Sequence, residues 1–429
     1  MTVEGLVAEP TVIPYELDYA NGRVTCPPAR YVTAAMDALG RAAIAARKNG
    51  FIVEAIGISS QAQTYVALDR TGEPIGDFTV WLDNRAHAEA EQLNTKIANA
   101  SAQCGFRAFT GQQFLPKVIR ALRSGELERS LVRRFVLLNE YLARHLTGTF
   151  YGDTTCQGMG GFFDVSRRNW STEALNLAGV SAIQLVPAFP AAAYSAQITP
   201  EIQRELGLPA VPVFLCGNDQ CCAAAGVDLP ERDGVLCNFG TAMVLYTRKN
   251  DLPEAITENQ IAGIDPLTSR YFLLGLMGDC GNVIEWLAQR VYPELGIEYM
   301  MNRALKSRFY PAPHQFEWFS AAFDKTVQSF EQASIDFRPA LLAQMFLEQY
   351  RANFAQLLVE LRGTGFSPVP LIASGGLSRS PSWLDFLQQS TGIPFIRATN
   401  EHPGLLGIAR IVARHAQPRQ DQPDQTDMQ

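Results

Sequence analysis

Residues 211–226, VPVFLCGNDQCCAAAG, pass from an apolar run through a short polar loop into a run of small residues. The pattern predicts a buried strand that runs into a loop over 211–220 and is followed by the start of a helix. Asp219 lies at that junction. Two interpretations stay open: a general base that takes a proton from an attacking hydroxyl, or a helix N-cap that accepts from backbone amides.

The cysteines in and after this stretch raise the alternative of a metal or disulfide site. Cys216, Cys221, Cys222 and Cys237 follow the spacing C-x4-C-C-x14-C, whereas zinc sites usually contain C-x2-4-C pairs and often histidines. Adjacent cysteines do not easily point at one ion, and none of the five histidines lies near this segment. We therefore interpret these cysteines as small buried thiols.

The succession of apolar strand, glycine-rich loop and helix recurs along the chain. Strands are predicted over 3–15, 51–60, 64–76 (with a turn), 211–220, 234–247 (two strands joined at Gly240) and 369–376. Helices are predicted over 30–48, 86–101, 114–124, 130–148, 281–292, 340–363, 383–392 and 404–416. This alternation predicts an α/β fold with mainly parallel sheets, whose ligands bind at the carboxyl ends of the strands.

Two glycine loops in the second half are candidates for binding phosphate or nucleotide. A tight turn at Gly240 and Thr241 would present backbone amides and a hydroxyl to an anion, and the alternative is an ordinary hairpin. Gly375 and Gly376 end a predicted strand and would let a nucleotide lie against the backbone. The alternative there is close packing of a helix on a strand.

The first half carries candidates for hydroxyl recognition. Trp81, Asp83 and Arg85 lie in the polar segment WLDNR after a strand, and a carboxylate and a guanidinium two residues apart can clamp hydroxyls. A surface ion pair is the alternative. Gln61, at the end of GISSQ, is suited to bind a hydroxyl, or else it is a capping or solvated residue.

Composition narrows the class of protein. The chain has 429 residues, 47% hydrophobic and 18% charged, which favours two or three globular domains. A net charge of −7 and a pI of about 5.4 argue against a nucleic-acid partner. No run is long and apolar enough for a membrane span, and the N-terminus lacks the pattern of a signal peptide. We expect a cytoplasmic protein with reduced thiols, no membrane partner and a disordered tail over 417–429.

The order of these loops is more specific than any one of them. The chain contains, in succession, GISSQAQTYVALD, VWLDNRA, LARHLTGTFYGDTTCQGMGGFFDVSRRNW, CGNDQCCAAAGV, NFGTAMV, IASGGLSRSPSW and EHPGLLGIARIVA. This succession resembles the FGGY carbohydrate kinases from about residue 5 to residue 414.

The resemblance implies two actin-like (ribonuclease H-like) α/β domains: 1–226 for the sugar and 227–416 for the nucleotide. It implies transfer of the γ-phosphate of ATP to a hydroxyl of a small sugar or polyol, with Mg²⁺, and a homodimer is one expectation for the assembly. Phosphoryl transfer depends mainly on positioning and charge stabilisation.

By the same resemblance, Asp219 matches the catalytic base of the family, and no residue is assigned to a metal. The expected sugar-binding residues are Gln61, Trp81, Asp83, Arg85, Asn218 and Gln220. The expected nucleotide-binding residues are Gly240, Thr241, Gly375, Gly376 and Ser380.

The sequence departs from the family pattern at its start. Family members usually open with a strand carrying D-x-G-T, and no such motif occurs in the first fifty residues. Either the protein has about twenty further residues before this start, or the chain has lost a strand and half of its phosphate clamp. The second case would make it a pseudokinase that binds sugar or regulates, and an actin-like ATPase without a sugar substrate is a third hypothesis.

A second departure concerns the substrate. The S-G-Q-M-H of xylulokinases is replaced by Ser59-Ser60-Gln61-Ala62-Gln63, and residues 316–337 lack the usual G-E-R-x-P-like stretch. The identity of the sugar therefore stays open.

Overall fold

A computed structural model describes residues 1–227, 229, 234–240, 242–305, 339–363 and 370–416. The chain divides into two compact units. The first unit contains Met1–Gly226, Gly263–Ser269 and the segment from His402 on, and the second contains Val227–Ala262 and Arg270–Glu401. Among the described residues, no helix is both long and apolar enough to cross a membrane.

The first unit has two main sheets and two strand pairs. Its strands are β1 (Asp18–Ala20), β2 (Arg23–Cys26), β3 (Ile56–Ser60), β4 (Tyr65–Leu68), β5 (Phe78–Thr79), β6 (Arg134–Leu137), β7 (Gly152–Asp153), β8 (Phe163–Asp164), β9 (Asn169–Trp170), β10 (Ala188–Phe189), β11 (Ser195–Gln197) and β12 (Pro212–Asn218). One sheet has the order β1-β2-β5-β4-β6 and is antiparallel throughout. The other has the order β11-β12-β3.

Helices of the first unit cover these sheets. They are α1 (Pro28–Lys48), α2 (His87–Lys96), α3 (Ala100–Cys104), α4 (Phe114–Arg123), α5 (Leu138–Thr147), α6 (Thr154–Gly158), α7 (Thr172–Ala178), α8 (Pro200–Leu206) and α9 (Asp219–Ala225), with a 3-10 turn at Ala182–Gln184. Helix α5 ends at Gly148, whose φ of 72° is the left-handed conformation that glycine adopts most easily.

The second unit is built on one six-stranded sheet. Its strands are β13 (Val235–Phe239), β14 (Ala242–Lys249), β15 (Gln260–Ile264), β16 (Tyr271–Asp279), β17 (Leu371–Ser374) and β18 (Phe395–Arg397), in the order β15-β16-β14-β13-β17-β18. Its helices are α10 (Gly281–Val291), α11 (Gly296–Leu305), α12 (Pro339–Gly363) and α13 (Pro381–Thr391), with a 3-10 turn at Gly376–Arg379. Trp383, Tyr350 and Phe346 are fully buried in its core.

The last helix, α14 (Pro403–Ala416), belongs to the first unit and not to the second. It packs on α9 so closely that a Cβ at Gly407 would lie 1.8 Å from the carbonyl oxygen of Cys222. Ile411 is fully buried against Phe214 of β12. The C-terminal domain that we predicted as one segment, 227–416, is therefore interrupted, because the apolar face of α14 packs on the first unit.

Residues 263–269 also belong to the first unit, although the chain before and after them belongs to the second unit. The Thr155 hydroxyl donates to the carbonyl of Ile264 at 2.8 Å, and Arg168 donates to that of Ser269 at 2.7 Å. These bonds fasten the end of β15 and the following turn to the first unit. The predicted tail, 417–429, lies outside the described residues.

Three predictions about local structure are wrong. Residues 3–15 form no strand, since Pro10 and Pro14 interrupt the run and Val12 is exposed. The helix predicted over 130–148 begins only at Leu138, because residues 134–137 pair with β4 instead. The sheets are mixed rather than mainly parallel. Parallel pairing joins β12 to β3, β13 to β17, β17 to β18 and β10 to β7.

Candidate functional site

Asp219 is the first residue of helix α9 and directly follows strand β12. The N-cap is its neighbour Asn218, whose side chain accepts from the Gln220 amide at 3.0 Å. The Asp219 carboxylate also accepts from that amide, at 2.8 Å. The structure thus gives the N-cap role to Asn218. Gln220, the next residue of the helix, has a half-exposed side chain.

The Asp219 carboxyl keeps contact with solvent, yet surrounding protein displaces much of the water near it. This loss of hydration raises the pKa of Asp219, although hydrogen bonds from Gln220 and Asn218 oppose the shift. A carboxylate with a raised pKa and an accessible oxygen is suited to accept a proton from a hydroxyl.

Strand β3 ends beside Asp219. In the parallel pair of β3 and β12, Ser60 is opposite Asn218, and the Asn218 amide donates to the Ser60 carbonyl at 3.5 Å. Ser59 donates to the carbonyl of Gly217 at 3.0 Å. The residue after β3, Gln61, therefore lies at the same sheet edge as the carboxylate, as the carboxyl ends of parallel strands require.

Gln61 uses its amide nitrogen within the protein. Nε2 donates to the Tyr31 hydroxyl at 3.1 Å and to Thr64 Oγ1 at 3.0 Å. An amide nitrogen has two hydrogens, so its oxygen is the group of Gln61 that a ligand hydroxyl could contact. The same Thr64 Oγ1 accepts from the backbone amide of Trp81 at 3.0 Å. Thr64 thus brings the loop of Gln61 and the loop of Trp81 together, and the Trp81 side chain is 41% exposed.

Asp83 and Arg85 bind each other. Both carboxylate oxygens of Asp83 accept from Arg85, with Nε at 3.0 and 2.9 Å and Nη2 at 2.8 Å, and one also accepts from the Val24 amide at 3.2 Å. Asp83 is only 1% exposed. The pair is neither an exposed ion pair nor an open hydroxyl clamp, because the Asp83 oxygens are occupied by protein donors.

All eight cysteines of the chain lie in the described part and are buried free thiols. The Cys222 thiol donates to the Cys216 carbonyl at 3.2 Å, and burial raises the pKa of both thiols. The interpretation as small packing residues is confirmed. Within the described residues, no group of three or more His, Cys, Asp or Glu side chains could bind a metal ion.

In the second unit, the glycine loops lie at neighbouring strand ends. Strands β13 and β17 are parallel, with Asn238 opposite Ser374. Gly240 follows β13, and its carbonyl accepts from the Gly281 amide at 3.0 Å. Gly375 follows β17 with a φ of +87°, and a Cβ there would lie 2.4 Å from the Phe239 carbonyl oxygen. Thr241 lies outside the described residues.

Gly375 and its neighbour Gly376 have different surroundings. A Cβ on Gly376 would meet no atom within 4 Å, so this position is open to an approaching group. Ser380 is the N-cap of α13: its hydroxyl accepts from the Trp383 amide and donates to Glu298 of α11. Its hydroxyl therefore fixes the end of this loop.

Sequence reasoning missed several residues that order these loops: Tyr31, Gln63, Thr64, Lys117 and Glu298. Of these, Lys117 left a signal, because it is a charged residue within the apolar segment FLPKVI of an amphipathic helix. Thr64 and Glu298 left none, because Thr64 also binds the amide of the more distant Trp81 and Glu298 binds the N-cap of another helix.

Comparison with known proteins finds similarity to sugar kinases. Residues 30–226 match the model of the N-terminal domain of the FGGY family of carbohydrate kinases. The xylulose kinase of Escherichia coli strain K12 is 23% identical over 383 residues, which are 85% of this chain and 77% of that protein. Over residues 30–226 the chain is similar to the N-terminal domain of the FGGY carbohydrate kinases.

Solved structures extend the likeness to both units of this chain. The xylulose kinase of Rhodospirillum rubrum superposes with a TM-score of 0.79 at 20% identity, over 94% of this chain and 84% of that one. The glycerol kinase of Plasmodium falciparum, solved with ADP, gives a TM-score of 0.77 at 17% identity, over 94% and 84%. The predicted fold class, two actin-like α/β domains, is confirmed.

Proposed function

We propose that this chain is an FGGY carbohydrate kinase that transfers the γ-phosphoryl group of ATP to a hydroxyl of a small sugar or polyol. The observation that carries the proposal is the position of Asp219: an accessible carboxylate with a raised pKa at the end of β12, beside the end of β3 and Gln61. The match of residues 30–226 to the FGGY family supports a carbohydrate kinase, and this geometry supports Asp219 as its base.

Each part of the reaction has a candidate group. The substrate hydroxyl oxygen forms a bond to the γ-phosphorus, its proton passes to Asp219, and the bond from the γ-phosphorus to the bridging oxygen breaks, releasing ADP. The oxygen of Gln61 and the exposed ring of Trp81 are the groups we assign to the sugar. Asn218 positions Asp219 through the cap it forms on α9.

Asp83 and Arg85 act indirectly in this proposal. Their mutual pairing fixes the segment that follows Trp81. Gln220 stays assigned to the sugar side, since it is adjacent to the base and half-exposed.

The second unit supplies the nucleotide-binding residues of this proposal. Gly240, Gly375 and Gly376 lie at two adjacent strand ends, and the open space beside Gly376 suits the close approach of a nucleotide. Ser380 holds the loop in place, and Thr241 stays a prediction.

Mg²⁺ would accompany ATP and neutralise phosphate charge. It usually binds through one or two carboxylates together with substrate phosphates. We assign no side chain of the chain to the ion, since the phosphates of ATP supply part of its coordination.

We propose ketoses and polyols as the substrate class and name no single sugar. Ala62 replaces the Met of the xylulokinase pattern, and the side chain of Gln63, which replaces the His, donates to the Met159 carbonyl at 3.2 Å. Gln63 therefore uses its amide within the protein. We also propose a cytoplasmic location and a homodimer, and light scattering in solution would test the latter.

The test is ADP release with Mg-ATP and a panel of ketoses and polyols, for wild type and Asp219→Asn. We expect the substitution to lower kcat by about 10²–10⁴-fold, the usual contribution of a general base. Asp37→Asn, on an exposed face of α1, is the matched control and should keep wild-type turnover. Near-native turnover of Asp219→Asn would exclude the base role, and sugar binding without any transfer by wild type would favour the pseudokinase alternative.

A further inference from the structure

Lys117 is a buried lysine in α4, only 3% exposed. Its Nζ donates to the carbonyl of Gln63 at 2.8 Å and to the carbonyl of Val80 at 3.0 Å. These carbonyls belong to the two loops that the proposed function assigns to the sugar. One follows Gln61, and the other precedes Trp81. A single ammonium therefore ties both loops to one helix.

The neighbouring backbone is held in an uncommon conformation. Gln63 has a φ of +67°, which non-glycine residues adopt rarely and which persists only where the surroundings enforce it. The Lys117 bond to its carbonyl and the bond from its side chain to Met159 are both restraints of this kind. Without them the loop would relax toward commoner conformations.

Ion pairing does not explain how the ammonium of Lys117 is stabilised where it is buried. Among the described residues, no carboxylate lies within 4.0 Å of Nζ, although Asp83 is close enough to raise its proton affinity. Burial dominates and lowers the pKa of Lys117 to about 7. A buried ammonium is costly unless hydrogen bonds compensate for lost hydration, and here backbone carbonyls do so.

We propose that Lys117 is a positioning residue for the sugar: by bridging the Gln63 and Val80 carbonyls it sets the spacing between Gln61 and Trp81. The inference rests on the proposed function. Its consequence is specific to one substrate, because α4 and both loops belong to the first unit, whereas the nucleotide loops belong to the second.

The first test compares Lys117→Met with wild type on whichever sugar wild type phosphorylates. Met keeps much of the apolar stem but cannot donate to the carbonyls. We expect KM for the sugar to rise about tenfold or more and KM for ATP to change less than about twofold, since two charge-assisted bonds are lost. An unchanged sugar KM in a folded variant would overturn the proposal.

Arg120→Met is the matched control. Arg120 is on the same helix and lines the same small cavity, but it pairs with Glu126 at 2.7 Å instead of bridging the loops. We expect its sugar KM to stay within about twofold of wild type, because the loop bridge is intact. Equal effects of both substitutions would assign the result to general loss of charge and contradict the proposal.

A measurement on the wild type covers the case in which Lys117→Met does not fold. As pH rises through about 7, Lys117 loses its proton, and the sugar KM should rise severalfold while KM for ATP does not follow it. The groups facing Lys117 are Asp83, Arg85, Tyr65, Arg120 and Glu126. A sugar KM and an ATP KM that rise together by the same factor would overturn the role, because the bridge contacts only the sugar loops.

If the proposed kinase function is wrong, the experiments give a different result from the one expected if the role of Lys117 is wrong. If wild type transfers phosphate to no sugar, the dissociation constant of a sugar, measured by calorimetry, replaces KM in both comparisons. Loss of kinase activity in wild type then refutes the proposed function, whereas equal sugar affinity of wild type and Lys117→Met refutes the role of Lys117.

Discussion

Two adjacent glycines, Gly375 and Gly376, show how different the requirements at neighbouring residues are. Gly375 has a positive φ and a backbone carbonyl at 2.4 Å from its missing Cβ, whereas Gly376 has neither restriction. The dipeptide alone could not distinguish them. The first glycine is required by packing, and the second leaves room for a ligand.

Alanine at each position should therefore have opposite effects. Gly375→Ala should destabilise the second unit by roughly 2–4 kcal/mol, because the methyl group meets the Phe239 carbonyl in a strained conformation. Gly376→Ala should keep the wild-type Tm but raise KM for ATP. Thermal unfolding and steady-state kinetics check both, and a wild-type KM for ATP in Gly376→Ala would argue against nucleotide binding there.

How far the sequence predicts the site differs from residue to residue. The junctions at Gln61, Trp81 and Asp219 follow from apolar runs that end in polar residues. The pairing of Asp83 with Arg85 does not, because two residues at that spacing can equally face solvent. Their burial depends on the Val24 amide of another strand, and no local pattern contains that contact.

At the scale of elements, helices α9 and α14 cross with their backbones in contact. A Cβ on Gly226 would lie 1.7 Å from the Pro403 carbonyl oxygen, and one on Gly407 would lie 1.8 Å from that of Cys222. Such approach is possible only for glycine. Because α9 begins at Asp219, this crossing also determines where the candidate base lies.

Gly407→Ala should therefore affect both stability and activity. We expect a loss of about 2–4 kcal/mol, since the obstructing atoms are backbone, and a lower kcat as α9 shifts. Gly404→Ala, in the same helix, is the matched control, because its methyl group would meet nothing within 4 Å. Denaturant unfolding and turnover measure the two effects, and similar stabilities of the two variants would contradict the crossing.

Local periodicity predicted α14 but could not assign it to a unit. An amphipathic pattern shows that a helix has an apolar face, not which sheet that face covers. The same limit explains residues 134–137, which the pattern joined to a helix and the structure pairs with β4. Long-range pairing decided both cases.

At the scale of the whole molecule, stability should depend on a buried carboxyl. Glu140 is fully buried, accepts from the Leu137 amide and the Gln157 side chain, and burial raises its pKa to about 8. The folded state then holds a proton that the unfolded state releases above its ordinary pKa of about 4.3. The sign follows: this stabilisation is complete below that value and is lost as pH rises through about 8.

Glu140→Gln removes this dependence because the amide is neutral at every pH. Between about pH 5 and pH 8, the Tm of wild type should fall by several degrees relative to this variant, because this interval lies between the unfolded and the folded pKa of Glu140. Glu128→Gln, at an exposed position, should run parallel to wild type. Calorimetry checks this, and parallel profiles for Glu140→Gln and wild type would contradict the neutral carboxyl.

The return of α14 to the first unit has a consequence for synthesis on the ribosome. Strand β12 and helix α9 leave the exit tunnel early, but Ile411, which fills the apolar space against Phe214, follows only after the entire second unit. Until then the nascent chain exposes this surface, and chaperones bind such exposed apolar segments. A chain released before residue 403 would keep it exposed and be open to proteolysis, however well its second unit had folded.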